Sequence, residues 1–94
     1  GDISGSVAST GSFGHMESAG NVLPKVDNAV DLGSTARRWA NLFVGDLVLS
    51  NIGSGGNDID GTEGNWIIQE GEENLYLLNR KNNKKYKFKL EEVD

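Results

Sequence analysis

Three short runs near the C-terminal end constrain this chain most: WIIQE over 66–70, LYLLN over 75–79 and YKFKL over 86–90, separated by the turn-like stretches GEEN and RKNNKK. Runs of about five β-branched, aromatic and aliphatic residues bounded by Gly and Asn read as strands, and connections this short make neighbours antiparallel. A three-stranded meander is predicted. In its last strand Tyr86, Phe88 and Leu90 alternate with Lys85, Lys87 and Lys89, so aromatics fall on one face and ammonium groups on the other. Only the aromatic face is expected to meet a core. Asn82-Asn83 suits the hairpin, because Asn tolerates the left-handed backbone that tight turns need.

Upstream, residues 21–46 carry frequent apolar residues with turn signals at Pro24, Asp27-Asn28 and Gly33. Ser34 is placed to cap a short helix over about 35–43, which would set Trp39, Leu42 and Phe43 on one face. Gly45 ends that element. Leu47-Val48-Leu49 then reads as a strand apolar on both sides, hence covered on both. Residues 52–65 hold five glycines and three acids in fourteen positions and read as a loop. Residues 1–20 are rich in Gly, Ser, Ala and Thr. They fit either a flexible linker or an extended shaft in which Ile3, Val7 and Phe13 meet neighbouring chains. Three segments result: 1–20, a turn-helix-strand module over 21–51, and loop plus meander over 52–94.

The interior of such a chain is thin. Its 94 residues contain no cysteine, so neither a disulfide nor a thiolate zinc site can brace it. Association with identical chains is the remaining route to burying leftover apolar surface. The net charge of −5 is uneven: six of the nine Lys and Arg residues lie in 79–94, and eleven of the fourteen acids lie in 1–78. An acidic chain with one short, interrupted basic cluster is a poor partner for nucleic acid. No apolar run is long enough to span a bilayer, so membrane insertion is not expected. The chain opens Gly-Asp without an initiator Met or a signal-peptide pattern and reads as a fragment of something longer.

Residues 31–51, DLGSTARRWANLFVGDLVLSN, resemble a segment recurrent in tail-fibre and tailspike-like proteins of double-stranded DNA phages. The match centres on Asp31-Leu32-Gly33-Ser34, Arg38-Trp39 and Leu42-Phe43-Val44. The stretch Ser9-Thr10-Gly11-Ser12-Phe13-Gly14-His15 resembles repeat-type fibre sequence, and 64–93 is similar to the C-termini of some marine phage structural proteins. The resemblance implies a distal, trimeric part of a fibre, close to an intramolecular chaperone domain, in a virion appendage. It also raises the self-cleavage of such chaperones, which uses a serine near a basic residue. Several serines precede Lys25, but no spacing marks a nucleophile with a base in reach.

Other constellations are weighed against plainer roles. His15, the only histidine, allows no histidine-rich site in one chain; three copies around a threefold axis could converge on an ion, whereas a surface role is the plainer reading. Asp58, Asp60 and Glu63 suggest a calcium loop. The register fails, because aligning Gly61 with the invariant glycine of the helix-loop-helix motif puts Gly56 first and Ile67 last, and neither can ligate. Glu70, Glu72 and Glu73 are paired carboxylates of the kind used in glycoside hydrolysis, yet they flank Gly71 in a turn with no room for a cleft.

The expected architecture is mainly β, with short strands, one short helix over about 35–43 and a C-terminal antiparallel meander, assembled as an elongated parallel homotrimer. The expected function is structural and non-enzymatic, with no cofactor: extending or capping a phage tail fibre. Partners are its own copies and other virion or tail proteins. Trp39, Phe43, Leu47, Leu49, Trp66, Tyr86 and Phe88 are the expected packing residues. The alternative is a receptor-binding tip whose loops contact host surface glycan or protein.

Overall fold

The structure, a computed structural model, describes Ser12 and residues 14–94. The chain divides into two units, Gly1–Arg38 and Trp39–Asp94. Ile3, Val7 and Phe13, and with them most of the shaft expected over 1–20, lie outside the described residues.

The described part of the first unit consists of turns and bends with neither strand nor helix. Its best-defined feature is a reversal at Ser34 and Arg37. The Ser34 amide donates to the Arg37 carbonyl at 3.0 Å, and the Arg37 amide donates back to the Ser34 carbonyl at 3.2 Å and to the Ser34 Oγ at 3.1 Å. The helix expected over 35–43 is therefore corrected. Ser34 does use its hydroxyl as a cap would, but the reciprocal backbone pair closes a loop around Thr35 and Ala36 and turns the chain back.

The energetic reason lies in the residues that follow. A short helix bears a nucleation cost that only tertiary burial of one face offsets. Trp39, Leu42 and Phe43 are 66%, 62% and 92% exposed, so among the described residues that face has nothing to bury against.

The second unit is built on a four-stranded antiparallel sheet in the order β1-β2-β3-β4, with β1 Leu47–Ser50, β2 Asn65–Glu70, β3 Leu75–Asn79 and β4 Lys84–Lys87. The meander expected over 66–90 is present, and β1 joins it by pairing with β2 across the long loop. The turn between β2 and β3 is closed by the Gly71 amide on the Asn74 carbonyl at 2.7 Å. The last strand is shorter than the run YKFKL implies. Its partner β3 begins at Leu75, whose carbonyl accepts from Phe88 at 2.9 Å, and beyond that point no partner strand continues.

Register sorts the side chains into two faces. Leu47, Ile68, Leu77 and Tyr86 stand side by side in one row, and Leu49 and Trp66 lie one pair further along on the same face. Leu75 and Phe88 extend that row set at the other end. The opposite face carries Val48, Ile67, Leu78 and Lys85 in register, with Gln69, Tyr76 and Lys87.

Among the described residues Ile67 is the only buried one, at 7% exposure, and it lies on the lysine face. This overturns the expectation that only the aromatic face meets a core. Val48 and Leu78 flank Ile67 in the register, and Gln69, next on the same face, donates to Asp46 at 3.1 Å. Nor is β1 covered on both sides, since all four of its residues are exposed in the single chain.

The β3–β4 turn uses its asparagines as expected. Asn83 sits at φ 59°, the Lys84 amide donates to Asn82 Oδ1 at 2.9 Å, and the Lys81 amide donates to Asn79 Oδ1 at 2.9 Å. A β-branched residue at φ near 60° costs about 1–2 kcal/mol. Asn83→Val is accordingly expected to lower unfolding stability by about that amount while Asn83→Gly leaves it within a few tenths; urea denaturation of the two variants checks the difference.

Candidate interaction surface

The aromatic face is the largest organised surface of the sheet unit. Leu47 at 39%, Leu49 at 48%, Tyr86 at 46% and Phe88 at 36% remain exposed, while Trp66, Ile68 and Leu77 at its centre are half-buried. The rings of Trp66 and Tyr86 pack at 5.8 Å between centroids, tilted by 40°. Such contact adds roughly 0.5–1.5 kcal/mol beyond area burial and holds both rings in fixed positions on the face.

The structure thus brings together five of the seven expected packing residues: Leu47, Leu49, Trp66, Tyr86 and Phe88. Trp39 and Phe43 precede β1 and are not part of the sheet. Ile68, Leu75 and Leu77 belong to the same face and were not among the expected residues. Their signal was the alternation within WIIQE and LYLLN, which becomes readable only once the pairing of β2 with β3 is known.

Beside this face the loop between β1 and β2 is tied down by its own side chains. Glu63 Oε2 accepts from the amides of Gly53 at 2.9 Å and Gly55 at 3.0 Å. Those glycines stand at φ 87° and 98°, in the left-handed region that lets both amides turn toward one carboxylate. Asn51 Oδ1 accepts from the Gly64 amide at 2.6 Å, and Lys81 Nζ donates to the Glu63 carbonyl at 3.1 Å, fastening the loop to the sheet. At the tip, Asn57 Oδ1 accepts from the amides of Ile59 at 2.7 Å and Asp60 at 2.9 Å.

Asp60 Oδ1 accepts from the Thr62 hydroxyl at 2.8 Å, the Thr62 amide at 3.1 Å and the Asn57 side-chain amide at 2.8 Å. Hydrogen bonds from Thr62, hydroxyl first and then amide, followed by that from Asn57, hold the Asp60 carboxyl below the ordinary aspartate range. The folded group being the stronger acid, its contribution is complete above the unfolded titration range and is lost as pH falls through the folded one.

Two of the three loop carboxylates suspected of calcium binding are therefore occupied in other ways, Asp60 by Thr62 and Asn57 and Glu63 by glycine amides, while Asp58 is exposed. Among the described residues no three His, Cys, Asp or Glu side chains converge to hold a metal ion. His15 is exposed, with Nε2 at 3.6 Å from a Glu17 carboxylate oxygen. Glu70, Glu72 and Glu73 are exposed at and beyond the end of β2. Ser18 donates to the Gly20 carbonyl and not to a base.

An open groove of about 630 Å3 lies between the loop and the sheet, where Asn57, Asp60 and Thr62 face Leu49 and Trp66. No helix among the described residues is long and apolar enough to cross a membrane. Comparison of the chain with known protein families, curated proteins and solved structures finds no match.

Two outcomes test the loop. Glu63→Ala is expected to raise hydrogen exchange at the Gly53 and Gly55 amides at least tenfold, the equivalent of about 1.5 kcal/mol for a lost charge-assisted bond, with β2 and β3 protection unchanged. In an NMR titration the Asp60 carboxyl is expected to protonate below the usual aspartate range, and Thr62→Val, which removes the hydroxyl donor, to bring it back up.

Proposed function

We propose that this chain is a non-enzymatic structural segment of a phage tail fibre or other virion appendage and works as a parallel homotrimer. The observation that carries this reading is the uncovered aromatic face. Eight large side chains stand in register on one side of the sheet, while among the described residues a single isoleucine is buried.

Soluble monomers rarely leave so large a contiguous apolar area to water, and burying it between copies supplies the stability that one thin sheet lacks. The likeness of 31–44 to fibre segments gives the direction of assembly, with copies running parallel about a common axis and joining neighbouring tail or virion proteins at their ends. Trp39 and Phe43, exposed in the single chain, are further surface for such contacts. Mechanical register, not chemistry, is then the task.

A second reading, a receptor-binding tip, is favoured by one feature. In the loop-side groove an aromatic ring, Trp66, stands with the amide, carboxylate and hydroxyl of Asn57, Asp60 and Thr62. Aromatic faces with planar polar partners suit host-surface saccharides. Glycan arrays at high micromolar protein separate the readings, since specific retention abolished by Trp66→Ala supports the tip.

For the structural reading, light scattering of the purified chain is expected to give three times the chain mass. Leu77→Asp, which puts a charge at the centre of the aromatic face, is expected to weaken assembly at least a hundredfold in concentration. A single-chain mass for the unaltered protein rejects the proposal.

A further inference from the structure

Among the described residues no strand pairs with the outer side of β1 or of β4, and these two edges match each other. An antiparallel ladder alternates residues that bond inward with residues whose amide and carbonyl point outward. The bond from the Asn51 amide to the Gly64 carbonyl, at 3.2 Å, fixes that phase on β1: Leu47 and Leu49 bond to β2, and Val48 and Ser50 present their backbone groups to the open side. The bond from the Phe88 amide to the Leu75 carbonyl, at 2.9 Å, fixes it on β4: Lys84 and Tyr86 bond to β3, and Lys85 and Lys87 present theirs outward.

All four outward-bonding residues lie on the lysine face. The β4 edge of one copy can therefore meet the β1 edge of another with both sheets keeping the same side up. Strand direction agrees as well. A meander with an even number of strands has antiparallel edges, so β4 and the next copy's β1 pair antiparallel when the copies themselves point the same way.

Charge agrees with geometry. Residues 39–64, which contain β1 and its loop, hold four acids and no base, and residues 80–89, which contain β4, hold six bases and no acid.

We infer that β4 of one copy adds to β1 of the next, with Val48 opposite Lys87 and Ser50 opposite Lys85, so that the aromatic face runs unbroken from chain to chain. This register overlaps 47–50 fully with 85–88. It sets Leu47 against Phe88 and Leu49 against Tyr86 on the aromatic side, and brings Lys84 beside Asn51, at the root of the acidic loop. Shifting by one residue mismatches the faces, and shifting by two toward the turn puts Asn83, at φ 59°, into the pairing. The inference rests on the proposed homotrimer and specifies its seam.

The absence of native cysteine makes the test direct. In the double variant Leu49→Cys/Tyr86→Cys the two thiols of one chain are three strand spacings apart, about 14 Å, too far to bridge. Across the seam they form a close non-hydrogen-bonded pair. Mild oxidation is expected to give covalent dimers and trimers on non-reducing gels, whereas Leu49→Cys/Lys85→Cys, with thiols on opposite faces, stays unlinked.

A second variant needs no packing residue. Lys85→Pro removes an outward amide, leaves the β3–β4 ladder its bonds, and is expected to raise the concentration needed for assembly at least tenfold. A threefold mass with no Leu49–Tyr86 cross-link, or with Lys85→Pro assembling like the unaltered chain, overturns the seam and leaves the homotrimer standing. A single-chain mass overturns both.

Discussion

A four-stranded sheet has two faces to shelter, and among the described residues only Ile67 is buried on either of them. Everything else about the structure answers to that shortage. Ile67 is buried with Val48 and Leu78 beside it, yet the opposite face, with Trp66, Tyr86, Phe88 and five aliphatic residues in ordered rows, stays half-buried or exposed. Backbone pairing alone contributes too little to hold a small sheet together in water. In the proposed homotrimer, the copies that cover the aromatic rows supply the remaining stability.

The loop between β1 and β2 meets a different constraint. Fourteen residues with five glycines would ordinarily lose much conformational freedom on ordering, since glycine has the most to lose. Here side chains do the organising, Asn51 and Asn57 among them. Glu63 gathers two glycine amides, and Asp60 gathers three donors at the tip. The segment is ordered by polar contacts local to itself, so its shape does not depend on how the apolar face is covered.

Much of this was legible in the residues, and what was not has physical causes. Alternation in YKFKL and the Asn82-Asn83 pair exposed β4 and its turn, because both signals are local. The run WIIQE could not tell which side faces inward: adjacent isoleucines give each face an apolar residue, and each is flanked by two apolar partners, Val48 and Leu78 beside Ile67 and Leu47 and Leu77 beside Ile68. Ser34 was ambiguous for a related reason, as a serine that caps a helix can equally close a tight turn, and Trp39 and Phe43 find no surface in one chain to decide the matter. Glu63 was invisible as a clamp because its partners are backbone amides of glycines eight and ten positions away.

The segregation of acids and bases to opposite borders of the sheet also governs symmetry. Were two copies to meet through the same border, as a twofold dimer requires, like charges would confront one another along the contact, bases in one case and acids in the other. Twofold pairing through strand borders is thereby penalised. Joining unlike borders is head-to-tail: each copy offers one side and receives on the other, and the series ends in a ring where the rotation between copies closes. Salt, by screening the penalty, would relax that selection before it weakened the apolar contacts.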